Sequence, residues 1–192
     1  LTYDEFMTAY QGDNRLAWTE FMMYGGMPFV MHKDEHAEKA AYLRGLFEKT
    51  YITDVIERNQ LKASKDVLED LLNYLASSVG SLTNATKLEN TFRSTKKLNI
   101  SHQTISAYID HFIDAFIIRK AERYDIKGRK YIGAQQKYFF TDVGLRNARL
   151  NFRQQEENHI MENILYNELT ARGFSVDIGV VETNWLWRHH HA

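Results

Sequence analysis

The chain has 192 residues, 44% of them hydrophobic and 13% aromatic, which supports a packed core in one large domain or two small ones and is too apolar for a disordered chain. Its net charge is −1 and it has no cysteine, which excludes a uniform polycation, disulfides, cysteine-ligated zinc and thiol nucleophiles. No apolar run approaches the ~20 residues of a membrane span, no signal-like segment opens the chain, and a first residue of Leu rather than Met points to a fragment or a processed chain.

Helical spacing predicts a helix over residues 2–11, with Tyr3, Phe6, Met7 and Tyr10 on one face, and another over 15–24, carrying Leu16, Trp18, Phe21 and Met22. Gly12-Asp13-Asn14 separates them, and Gly25-Gly26-Met27-Pro28, with the sole proline of the chain, stops the second and turns the backbone. Asp34 to Ile56 reads as one long helix with an apolar stripe of Ala40, Leu43, Leu46, Phe47, Tyr51 and Val55. Ser64 to Val79 reads as the next, capped by Ser64, with Asp66 in its first turn and Gly80 just past its end.

The stretch Ser81 to Asp142 carries the most information. A helix is predicted over Asn84 to Thr95, a turn over Lys96 to Ile100, and a helix capped by Ser101 that runs to Phe116 with Ile105, Tyr108 or Ile109, Phe112, Ile113 and Phe116 inward. Strands follow at Phe116 to Arg123 and Lys137 to Thr141, around a glycine turn holding Lys127, Arg129 and Lys130. Helix, turn, helix and basic hairpin in that order read as a winged helix-turn-helix. Charge is concentrated here, with eleven basic against five acidic residues between Lys87 and Lys137, while residues 1–60 hold ten acids and six bases. A localised anionic partner fits that asymmetry. The short polar residues Ser101, His102, Gln103, Thr104 and Ser106 would let a helix start approach base edges, and Lys96, Lys97, Lys127, Arg129 and Lys130 would face phosphates. The competing reading is a scaffold whose wing touches protein.

Glu156 to Arg172 reads as an amphipathic helix closed by Gly173, and Phe174 to Val181 as a strand for which no obvious partner follows. The tail from Thr183, with His189, His190 and His191, reads as vector-derived. No glycine is followed by lysine, so the chain has no P-loop, and it has no G-x-G-x-x-G or G-x-S-x-G. His32 and His36 have the spacing of one helix face but lack an H-E-x-x-H core. Glu162 is the weak candidate for a metal-holding acid, which within this chain lacks the further acids and lysine such a site needs.

The ordered set YGGMPFV, YLRGLFEKTYITDVIER, LLNYLASSVGSLTNATKLENTF, ISHQTISAYIDHFIDAFII, RYDIKGRKYIGAQQKYFFTDVGLRNA and ENILYNELTARGFSV resembles the C-terminal half of prokaryotic AAA-type (P-loop) ATPases that carry a C-terminal domain of unknown function. The resemblance runs from about Leu1 to Val181. It implies that residues 1–61 end the ATPase module as a helical, lid-like segment, that 62–150 form the winged helix, and that 151–182 begin a restriction-endonuclease-like domain, with Glu162 at the position of the acid on its first helix. It implies ATP and Mg as cofactors of the intact parent and none for this chain.

The expected fold class is mainly α with small β: a helical lid-like N-terminal part, a winged helix-turn-helix in the middle and the start of a truncated α/β nuclease-like domain. The expected function is a cytoplasmic, non-catalytic fragment of such an ATPase whose winged helix contacts duplex DNA, with its own ATPase domain as a further partner. The alternatives are a protein-interaction or oligomerisation module, driven by exposed aromatics between Tyr3 and Tyr24, and a metal-dependent nuclease fragment.

Overall fold

The computed structural model describes residues 1–48, 53–59, 65–125, 130–153 and 156–180. The fold is mainly α with small β. Its helices are α1 (Tyr3–Ala9), α2 (Ala17–Tyr24), α3 (His36–Leu46), α4 (Thr53–Arg58), α5 (Lys65–Ser77), α6 (Ala85–Lys96), α7 (His102–Asp114), α8 (Val143–Arg149) and α9 (Glu157–Ala171). A 3-10 turn covers Pro28–His32, and the strands are β1 (Ile118–Asp125), β2 (Lys130–Phe140) and β3 (Ile178–Val180). Among the described residues no helix is long and apolar enough to cross a membrane.

Local chemistry accounts for most boundaries. Thr2 and Glu5 form a reciprocal capping box on α1, each side chain accepting the other's backbone N–H. α2 stops at Gly25, whose φ of 70° is open to glycine at little cost, and Pro28 then begins the 3-10 turn. Of the helix expected from Asp34 to Ile56, the described residues show two pieces, α3 and α4, with residues 49–52 outside them. α-Helical bonding ends at Leu46, the backbone widens into a π-type turn at Phe47 and Glu48, and α4 begins at Thr53. The remainder of that expectation, and the Ser64 cap, lie outside the described residues. Asn84 caps α6, its Oδ1 accepting the Lys87 N–H at 2.7 Å.

β1 and β2 pair antiparallel, Ile118 opposite Phe140, with an irregularity between Glu122 and Tyr124. Thr83 adds a reciprocal two-bond bridge to Gln136 on the other side of β2. The last strand, shorter than expected, pairs parallel with β1, Arg123 opposite Ile178, so its partner lies in the hairpin that precedes it. The expected inward position of Phe116 is wrong: the helix ends at Asp114, and the Phe116 ring is 73% exposed.

Two apolar clusters meet at α8. The larger gathers Leu68, Leu71, Leu72 and Leu75 of α5, Leu88 and Phe92 of α6, Ile105, Ile109 and Phe112 of α7, and Phe139 and Phe140 of β2. The smaller joins Phe6, Ala17 and Phe21 to Val143, Ile160 and Ile164. The aromatics Phe6, Phe21 and Tyr24 are buried while Tyr3, Tyr10 and Trp18 are half-buried, so only part of the aromatic surface expected between Tyr3 and Tyr24 is exposed. Burial of each ring contributes roughly 1.5–3 kcal/mol.

α8, absent from the sequence expectations, is buried over six of its seven residues. Its side chains serve backbone groups of distant elements. Asn147 Nδ2 donates to the carbonyls of Met22 and Met23, both at 2.9 Å, and Arg146 Nε donates to Ala76 O at 2.9 Å. Asp142 caps α8 through Leu145 N–H and accepts Gly26 N–H at 2.8 Å. From α9, Asn163 both donates to Phe140 O and accepts Phe140 N–H, in the manner of a neighbouring strand. Gly144 allows the approach of α2: a Cβ there would lie 1.9 Å from Tyr24 O. Gly144→Ala is expected to cost about 3 kcal/mol or more, read as a fall in the urea midpoint, because the obstacle is backbone and cannot rotate away.

Asp142 also supplies a pH dependence. Burial pushes its carboxyl above the ordinary range, against the opposing pull of the Gly26 and Leu145 amides. A raised folded value means that the folded state holds a proton which the unfolded state has released. Stability from this group is therefore intact below about pH 4 and lost as pH rises toward the folded value. The stability of the wild type relative to Asp142→Asn should fall as pH rises from about 4, measured by urea unfolding across pH. A flat or rising difference would contradict it.

Candidate nucleic-acid interface

The helix pair α6–α7, the turn between them and the β1–β2 hairpin form the unit on which the sequence reading placed its site. α7 presents its apolar stripe of Ile105, Ile109 and Phe112 to the core, which forces Gln103, Ser106, Ala107, Asp110 and Asp114 to the outside at helical spacing. Ser101, His102, Gln103 and Ser106 are all exposed, and Thr104 is half-buried.

These side chains differ in availability. Ser101 is committed to capping: its Oγ accepts Thr104 N–H at 3.2 Å and lies 3.0 Å from Thr104 Oγ1. His102 is fixed by Glu89 of α6, whose Oε2 accepts the His102 backbone N–H at 3.1 Å and sits 3.0 Å from Nδ1. That hydrogen bonding holds the Glu89 carboxyl below its ordinary value. Gln103 and Ser106 carry no hydrogen bond among the described residues. They are the two side chains free to meet a base edge, while the rest of the first turn holds them in place.

The cations are also unequal. Lys96 pairs with Asp70 of α5 at 2.9 Å, and Arg93 with Glu89 at 2.6 Å. Both are exposed pairs, so either cation can exchange its partner for a phosphate at small cost. Lys97 ends α6 in the left-handed region, φ 54°, fully at the surface. Lys127 and Arg129 lie outside the described residues. Lys130 opens β2 opposite Asp125, and its backbone is placed while its side chain is not described. The structure thus brings Lys96, Lys97 and the α7 start together at the α6–α7 turn. Farther along α7, the outward Asp110 and Asp114 would repel phosphates, which confines any approach to the first two turns.

Glu162 is not part of this site. It lies on α9, where Lys137 of β2 pairs with it at 2.5 Å, and Gly80 packs so closely that a Cβ there would meet Glu162 Oε2 at 2.7 Å. His36 is engaged by Tyr24 Oη at 2.7 Å. Among the described residues no group of three or more histidine or acidic side chains is placed to hold a metal ion. Sequence reasoning missed Glu89 as the residue that orients His102. Its position thirteen residues upstream gives no local signal, because the contact exists only once α6 and α7 cross.

A family model described as a domain of unknown function (DUF8612) matches residues 15–156. An "Uncharacterized protein" of Haemophilus influenzae is 35% identical over 188 residues, covering 95% of this chain and 46% of the relative. "Uncharacterized protein MJ1544" of Methanocaldococcus jannaschii is 27% identical over 157 residues, covering 81% of this chain and 34% of the relative. The chain spans less than half the length of these curated relatives. No solved structure matches.

Proposed function

The chain belongs to the DUF8612 family, and on that premise we propose that it is the C-terminal part of a prokaryotic, cytoplasmic AAA-type ATPase, itself non-catalytic, whose winged helix contacts duplex DNA. Support for the parent comes from the order of its sequence segments, from relatives in one bacterium and one archaeon, and from the greater length of those relatives. ATP and Mg belong to the parent in this reading, since the sequence holds no P-loop.

The observation that carries the DNA reading is the exposed polar start of α7, with Gln103 and Ser106 uncommitted and Lys96 and Lys97 beside them. In this reading the α7 start enters a groove, Gln103 pairs with an adenine edge, Ser106 accepts or donates to either base type, and the lysines hold the backbone on each side. In this reading Lys127, Arg129 and Lys130 would meet the adjacent phosphates. With Nδ1–H given to Glu89, the neutral His102 imidazole would present Nε2 as an acceptor.

Titration with duplex DNA at several salt concentrations tests this. Binding is expected near 10⁻⁴–10⁻⁶ M at physiological salt, weakening steeply as salt rises. Lys97→Gly suits the left-handed backbone of that position, and it should reduce the slope of log K against log salt by about one. Gln103→Ala should leave non-specific binding nearly unchanged and cost about 1–3 kcal/mol on a preferred sequence. Absence of binding at ~100 µM in low salt, weaker than any ordinary non-specific contact, or affinity indifferent to salt, would remove the DNA reading.

A further inference from the structure

Three helices of this protein end in the same hydrogen-bonded cap. After α9, Phe174 N–H reaches Leu169 O and Gly173 N–H reaches Thr170 O, around Gly173 at φ 84°. After α8, Phe152 N–H reaches Asn147 O and Asn151 N–H reaches Ala148 O, around Asn151 at φ 51°. After α7, Ile117 N–H reaches Phe112 O and Phe116 N–H reaches Ile113 O, around Phe116 at φ 55°. Glycine and asparagine are favoured at this position, and a phenylalanine there is strained, as Phe152 is at φ 57° beside Asn151. The strain at Phe116 is not offset by burial, because its ring is 73% exposed. The backbone is nonetheless fixed: Phe116 O accepts Thr141 Oγ1 at 2.6 Å, and Ile117 is buried on the other side. A bulky apolar side chain is thus held rigidly outward from a position that favours glycine, and rigid backbone outliers of this kind cluster at functional contacts.

The same chain carries a matching receptor. A groove of about 440 Å³ runs between α9 and the first two helices, floored by Tyr3, Trp18, Met161, Ile164 and Leu165. Met161 and Leu165 are 48% and 58% exposed. Phe116 is not among the residues that line it. The rim charges are already satisfied: Arg172 pairs with Asp4 at 3.0 Å and with Glu168 at 3.7 Å, and Glu162 pairs with Lys137. A basic helix would gain little from such a rim. The groove calls for a neutral, apolar insert, and the outward Phe116 side chain is one.

We propose that the occupant is a second copy: Phe116 of one molecule inserts into the Met161–Leu165 groove of another. A projecting apolar side chain and a receptive groove on one chain make a contact between unlike surfaces. It uses the far end of α7 from the polar helix start, so it stands or falls independently of DNA binding.

Sedimentation velocity without DNA tests it, on wild type over a wide concentration range. The mass of the wild type should rise with concentration. Phe116→Gly should be monomeric throughout, with a urea midpoint equal to or above that of wild type, since glycine fits the backbone. Leu165→Lys, at an exposed position, should fold normally and also be monomeric. Mixed together, the two variants should form a one-to-one complex, because the first keeps the groove and the second keeps the phenylalanine. Replacing Trp185 and Trp187 by Ser should leave association unchanged. A strictly monomeric wild type, association that survives Phe116→Gly or vanishes without the tryptophans, or a mixture that stays monomeric would each overturn the proposal.

Discussion

The structure depends on a buried set of polar side chains that hold one short helix in place. Asn147, Arg146 and Asp142 reach the backbone of the α2 end, the α5 end and the Gly25–Gly26 turn, and Asn163 and Asn167 secure the end of β2 from the α9 side. Each of these bonds adds only about 0.5–1.5 kcal/mol, but removing one partner strands a desolvated group at roughly 1–3 kcal/mol. The set therefore acts less as a source of net stability than as a specification of which elements meet. Arg146, 1% exposed, is the extreme case: burial pulls its pKa down, and the charge is tolerable because carbonyl and amide oxygens accept from it.

From that centre the candidate interface follows. α5 sits on α8, α6 and α7 share the larger apolar cluster with α5, and the Thr83–Gln136 bridge ties the start of α6 to the hairpin. The start of α7 is thus placed relative to the β1–β2 hairpin by two independent connections, one through packing and one through backbone bonding. The surface it presents is polar with a few cations, and its nearest acids, Glu89 and Asp70, are already engaged.

Much of this was legible in the sequence. Period-3.6 stripes located α1, α2, α5, α6, α7 and α9, and the Ser101 cap fell at the expected position because capping is a local effect of neighbouring backbone N–H groups. What escaped notice was non-local. α8 is buried almost all round, with Arg146 and Asn147 inside, so it has no amphipathic stripe to detect. Its one local sign was Asp142 ahead of Val143-Gly144-Leu145. Phe116 followed the inward spacing of α7 on paper, but the helix had already ended at Asp114, and the left-handed turn reversed its direction. The aromatics of α1 and α2 looked orphaned because their partners, Ile160 and Ile164, lie some 140 positions farther along. In the site itself the polar start of α7 was readable and the role of Glu89 was not.

The bonds from Asn147 to Met22 and Met23 join residues 125 and 124 positions apart. Helix α8 therefore has no satisfactory place until both the opening helices and the α5 end have arrived, so its ordering comes late in folding. The long chain loops that must close first slow assembly. Until then α5, α6 and α7 can pair through contacts close in sequence, while the opening helices wait with their aromatic faces uncovered. On a ribosome, α1 and α2 leave the exit tunnel well before the residues near 147 and 160 on which they settle, and wait for them to follow.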